Sequence, residues 1–146
     1  MSTPFTLEFM TRWSDVDGNN HMGNSSYLSH ATQTRFVYFA KNGFEPHHFD
    51  ALNLGLAAIS DSVTYKSEIR FMQPITVELW CDGLNEARSK VRFRNIFRDQ
   101  AGTELAQLTS LIIWFDKVKR KKTTPPEAAF TALGRLAKTS DFELLS

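Results

Sequence analysis

Residues 24–43 read NSSYLSHATQTRFVYFAKNG, and their spacing predicts one long helix over residues 25–41. Asn24 is suited to the N-cap, where its side-chain oxygen can accept an orphan backbone N–H. Asn42-Gly43 supplies a C-terminal stop. Leu28, Thr32, Arg35, Phe36 and Phe39 share one face, and Tyr27, Ala31, Thr34 and Tyr38 an adjacent one. A helix with two mainly uncharged faces is packed on more than one side. Alternation of apolar and polar residues predicts strands at 5–11, 58–71, 75–86, 89–98 and 105–117. The clearest is 89–98, where Val91, Phe93, Asn95 and Phe97 alternate with Lys90, Arg92, Arg94 and Ile96. Gln73-Pro74 and residues 99–102 are turn signals. Residues 45–56 read as loop with a short helical turn, and 125–138 as a short C-terminal helix opened by proline. Strands with one charged face have one wet side, and the other must be covered. The long helix is the candidate cover. The expectation is a single α+β domain over residues 1–146, an antiparallel sheet wrapped around one long central helix.

Composition narrows the function classes. The chain has 146 residues, 42% apolar and 23% charged, which fits a folded domain rather than a disordered one. A net charge of +1 gives no support to nucleic-acid binding. Cys81, the one cysteine, cannot form an internal disulfide and reads as a reduced, buried thiol, pointing to the cytoplasm. The apolar runs are too short to span a bilayer, and the opening MSTPFTLEF lacks the pattern of a signal peptide. Twelve phenylalanines are a large number for this length and call for a specific packing role.

Ahead of the helix lies RWSDVDGNNHMGN, residues 12–24, with two carboxylates, three asparagines and a histidine. Three readings meet here. Asp15, Asp17 and Asn19 have the D-x-D-x-N spacing of a calcium loop, but Asn20 and Ser26 stand where such a loop wants Gly and Glu. The cluster also suits Asx turns and a helix cap, formed for local hydrogen-bonding reasons alone. The third reading is catalytic. A helix start offers unpaired N–H groups and a positive partial charge, which can stabilise an oxyanion on an attacked carbonyl. Asp17 could serve there as general base or nucleophile, with Asn19 and His21 holding water or orienting the carboxylate.

The stretch RWSDVDGNNHMGNSSY, with Arg35 eleven residues beyond Asn24, resembles the hotdog-fold thioesterases, and most of all the 4-hydroxybenzoyl-CoA thioesterase-like branch. The Asp17-x-Asn19-x-His21 spacing also resembles the active-site stretch of plant acyl-carrier-protein thioesterases. SEIRFMQPI, residues 67–75, resembles the family's second strand and following turn, so the likeness covers roughly residues 6–119. It implies hydrolysis of an acyl-CoA without metal, cofactor or prosthetic group. It assigns Asp17 as the catalytic carboxylate, the backbone N–H near Asn24 as the oxyanion site, and Asn19 and His21 as assisting residues. Gly23 and Tyr27 would line the acyl group. Two departures stand out. Many members carry Val-Asn-Asn after the histidine, whereas here Met22-Gly23-Asn24 follows, which loosens the turn or admits a bulkier acyl group. Another hotdog branch uses a glutamate on the central helix, and residues 25–40 contain no carboxylate.

Charge is unevenly spread. Residues 1–61 carry three basic and six acidic groups, and residues 62–146 carry fourteen and ten. Basic clusters at Arg88, Lys90, Arg92, Arg94 and Arg98 and at Lys117, Lys119, Arg120, Lys121 and Lys122 have two readings. They are solvated strand faces that blunt a sheet edge, or they hold CoA phosphates, with Arg92 and Arg94 as substrate contacts. The family likeness implies a homodimer or homotetramer with the site at the subunit interface. It leaves two alternatives to acyl-CoA hydrolysis: an acyl-carrier-protein substrate, or acyl-CoA binding without catalysis.

Overall fold

Alternation of buried and half-buried residues marks two inner strands of the sheet. In β3 (Pro74–Asn85) Ile75, Val77, Leu79 and Cys81 are buried, and in β4 (Lys90–Arg98) Val91, Phe93, Asn95 and Phe97 are fully so. The structure is a computed structural model and describes residues 3–146. With β1 (Phe5–Met10), β2 (Leu54–Tyr65) and β5 (Glu104–Asp116), the order across the sheet is β1-β3-β4-β5-β2, every neighbour antiparallel. A two-residue β6 (Lys121–Lys122) folds back on β5.

The sheet is not wholly antiparallel. β7 (Lys138–Leu145) pairs parallel with the second half of β3, from Cys81 to Asn85. The first half of that edge, up to Leu79, is taken by β1. β7 thus covers an edge that β1 leaves open.

The cover of the apolar face is shared. α1 (Asn24–Lys41) buries Tyr27, Ala31, Thr34, Arg35, Tyr38 and Phe39. α2 (Pro46–Ala51) contributes Phe49, and α3 (Glu127–Arg135) contributes Ala129, Ala132 and Leu133. The expectation of one helix as sole cover gives way to three helices on one core. Tyr38 Oη donates to the Ala132 carbonyl at 2.5 Å and ties α1 to α3. Trp114 of β5 is the centre of that core. Phe49 stacks on it with centroids 5.5 Å apart and planes 7° apart, and Phe39 and Phe44 meet it edge-on. Such pairs add to plain area burial.

Several boundaries differ from the sequence reading. The N-cap of α1 is Gly23, with Asn24 as the first helical residue and no side-chain cap bond. β2 begins at Leu54 and ends at Tyr65. Beyond it, Lys66 and Ser67 N–H groups both reach the Leu105 carbonyl, and the chain then leaves the sheet. That departure lets Ile69 be fully buried against the loop ahead of α1. Cys81 is buried as expected, and burial pushes its thiol up to about 11.

Phe39 touches Trp114, Phe93 and Phe49, so its truncation opens the core where strands and helices meet. Phe39→Ala is expected to cost about 4 kcal/mol in urea unfolding. A loss below about 1 kcal/mol would mean the core does not depend on this contact.

Candidate active site

The loop between β1 and α1 is held in shape by backbone bonds. A 3-10 turn at Trp13–Asp15 opens it, a bridge pairs Val16 with Met22, and the Asp17 N–H donates to the His21 carbonyl at 2.8 Å. Asn20 closes the tip with φ +66°, a left-handed conformation that asparagine tolerates better than most residues. The loop is also tied to its neighbours. Met22 N–H donates to the Ile69 carbonyl at 2.7 Å, and His21 bridges to Arg70. Gly23 N–H donates to the Asp15 carbonyl at 2.8 Å.

At the tip, Asp17 Oδ1 accepts from the Asn19 N–H at 2.9 Å and the His21 N–H at 3.4 Å. This is an Asx turn, so the structural reading of the carboxylate holds. It does not exclude chemistry, because neither bond uses Oδ2. Asp17, Asn19 and Asn24 are all exposed. A cavity of about 320 Å³ brings Asp17, His21, Asn24 and Tyr27 on one wall against Tyr65, Lys66, Ser67 and Glu68 on the other. Tyr27 meets Tyr65 edge-on at 5.1 Å, and burial pushes its hydroxyl up to about 12. A Cβ at Gly23 would find only ordinary contacts, at 3.8 Å from Asp15 O and Asp17 Cβ, so packing alone does not demand glycine there.

Glu68, exposed on the segment that follows β2, is paired with two residues. Its Oε2 lies 3.0 Å from His21 Nε2 and 2.9 Å from an Arg70 Nη2. The His21–Arg70 bridge sets this contact by aligning the loop with residues 66–73. The contact spans 47 positions of sequence, and no local spacing announces it. A carboxylate on one ring nitrogen fixes the histidine's tautomer and orientation.

Arg92 and Arg94 are placed elsewhere. Both bind the buried Asp82, at 2.7 and 2.9 Å, and each takes a second carboxylate from β7, Glu143 or Asp141. Asp141 is pulled down to about 2, chiefly by Arg94. Neither arginine lines the cavity that holds Asp17. Arg35 is buried within the protein, donating to Ser110 Oγ, which in turn donates to Asp61. Burial pulls its guanidinium down to about 10. Among the described residues, no group of three or more His, Cys, Asp or Glu could hold a metal ion. No helix of the described residues is long and apolar enough to cross a membrane.

A family model described as the thioesterase-like superfamily matches residues 11–133. A search of curated protein sequences finds no match. Among solved structures, the chain resembles a protein of Staphylococcus aureus in complex with CoA, at TM-score 0.84 and 18% identity, over 95% of this chain and 89% of that one. It resembles a 1,4-dihydroxy-2-naphthoyl-CoA thioesterase from Synechocystis at TM-score 0.81 and 14% identity, over 90% and 96%. A gentisyl-coenzyme A thioesterase aligns at TM-score 0.77 and 13% identity, over 88% and 98%. At these identities the likeness carries the fold, a curled and mainly antiparallel sheet with few helices, the hotdog arrangement.

Asp15 gives this loop a pH signature. Burial alone would raise its carboxyl, but the Arg12 N–H at 2.9 Å and the adjacent His30 outweigh that and hold it below the ordinary 3.8. A depressed folded value contributes stability above 3.8 that is lost as pH falls through it. Wild type is therefore expected to lose stability between about pH 5 and pH 3 more steeply than Asp15→Asn, measured by urea unfolding across that range. Parallel curves would show that Asp15 is not held this way.

Proposed function

The chain belongs to the thioesterase-like superfamily, and from that premise we propose that it is a thioester hydrolase converting an acyl-CoA to a free carboxylic acid and CoA. The observation that carries this reading is the meeting of the Asp17 carboxylate, the His21–Glu68 pair and the start of α1 around one cavity. α1 then serves as the central helix of the hotdog. Its first N–H groups lack helical partners and carry a positive partial charge. The N–H at Asn24 takes the thioester oxygen as negative charge develops on it.

Asp17 acts as base. Two amide N–H groups hold Oδ1, and Oδ2 is outside both bonds. It takes a proton from water as the water oxygen attacks the carbonyl carbon. The tetrahedral adduct collapses, the C–S bond breaks, and the departing thiolate takes up the proton. His21, oriented by Glu68, and Asn19 hold the attacking water. Tyr27 and Gly23 border the acyl group. The cavity is open to solvent in one protomer, whereas charge stabilisation of this kind gains from excluding water. A second copy of the chain closing the site, in a homodimer or homotetramer, meets that need.

The test is CoA release from acyl-CoAs of graded chain length, aliphatic and aromatic. Asp17→Asn is expected to lower kcat at least about 100-fold, the worth of a general base. Glu68→Gln is expected to lower it about tenfold, because it removes the charge beside His21. Binding of CoA esters without turnover of any of them would replace hydrolysis with acyl-CoA binding. Turnover of acyl-carrier-protein esters alone would move the substrate class.

A further inference from the structure

The proposed chemistry uses Asp17 and leaves unexplained a largely buried ionisable pair two residues away. Asp15 is 5% exposed and His30 of α1 only 11%, and His30 Nε2 lies 3.0 Å from Asp15 Oδ1. A buried charge is costly unless it is paired and hydrogen-bonded. An apolar residue at position 30 would pack as well against Phe9, whose ring stacks on the imidazole at 3.7 Å and 12°. The pair therefore needs a reason other than burial.

The contacts of Asp15 supply one. Its Oδ2 accepts the Arg12 N–H at 2.9 Å, where the loop begins. Its backbone carbonyl accepts the Gly23 N–H at 2.8 Å, where the loop ends and α1 starts. The carbonyl of His30 is itself bonded by Thr34 Oγ1 at 2.7 Å. Asp15 thus joins both ends of the loop, its carboxylate tying the start of the loop to His30 of α1 and its backbone carbonyl holding the end. The Asp17 carboxylate is two residues beyond Asp15, and the Asn24 N–H one residue beyond Gly23.

We propose that His30 is a positioning residue, holding Asp15 so that the Asp17 carboxylate and the start of α1 keep a fixed separation. It touches no substrate. Its ring lines a different cavity, of about 450 Å³ between β1 and α1, so its effect reaches the site only through Asp15. Small errors in such a separation are expensive, since displacement of about 1 Å can cost 100-fold in rate. This inference rests on the thioesterase reading for its kinetic consequence but not for its structural one.

The test compares His30→Gln, whose amide nitrogen can replace Nε2 as donor to Asp15, with His30→Leu, which fills the space without a donor. Amide hydrogen exchange reads the loop directly. In His30→Leu the protected amides of Asp17, Met22 and Gly23 are expected to exchange about tenfold faster, as expected for a lost bond to a charged group, with the strands unchanged. His30→Gln is expected to keep them near wild type. Kinetically, His30→Leu lowers kcat with KM within about twofold, and His30→Gln restores it. Wild-type exchange and kcat in His30→Leu would overturn the proposal. So would an equal loss in His30→Gln and His30→Leu, because the hydrogen bond would then not be what matters. If wild type releases no CoA from any ester, the thioesterase reading fails and the exchange comparison alone decides the role of His30.

Discussion

A carboxylate on an exposed loop is useful only if the loop cannot wander, and here the constraint is backbone hydrogen bonding at both ends of residues 12–23. Gly23 N–H is bound to the Asp15 carbonyl, Met22 N–H to Ile69, and Asp17 N–H to His21. The first bond sets where α1 begins. The second brings residues 66–73 alongside, and with them Glu68 to His21. The third shapes the tip that carries Asp17. The cavity exists because these three bonds place a loop, a helix start and a departing strand against one another. Side chains then occupy positions that the backbone has already chosen.

Much of this was legible in the residues. The two-residue alternation of 75–81 and 91–97 identified the buried side of the central strands, because a sheet with one wet face leaves that pattern directly. The Asp17-x-Asn19-x-His21 spacing placed a polar cluster at the start of a helix, and it is there. What stayed hidden was non-local. β7 has exposed residues at most positions and no clean alternation, since it is specified by the vacant edge of β3 rather than by its own pattern. Asn24 is a good capping residue, yet Gly23 caps α1, because the bond from Gly23 to Asp15 fixes the turn one residue earlier. Glu68 gave no local sign of its partner.

The charges show the same limit. Arg92 and Arg94 looked available for phosphates when read along one strand. In the fold their partners arrive from β3 and β7, and Asp82, Asp141 and Glu143 occupy them. The twelve phenylalanines divide by role more clearly. Phe39, Phe44, Phe49 and Phe93 surround or adjoin Trp114 in the core shared by the sheet and helices, while Phe97 packs on Tyr27 beneath the candidate site. Phe9 stacks on His30. The aromatic excess therefore serves both the core and the base on which the loop rests.

The central claim is spatial: the reacting carbonyl sits between Asp17 and the start of α1. A crystal structure with a hydrolysis-resistant acyl-CoA analogue tests it most directly. The analogue's carbonyl oxygen is expected at about 2.7–3.1 Å from the N–H at Asn24. Asp17 is expected to bind a water about 3–3.5 Å from the carbonyl carbon. A carbonyl seated in the cavity between β1 and α1, or anywhere beyond reach of Asp17, would contradict it.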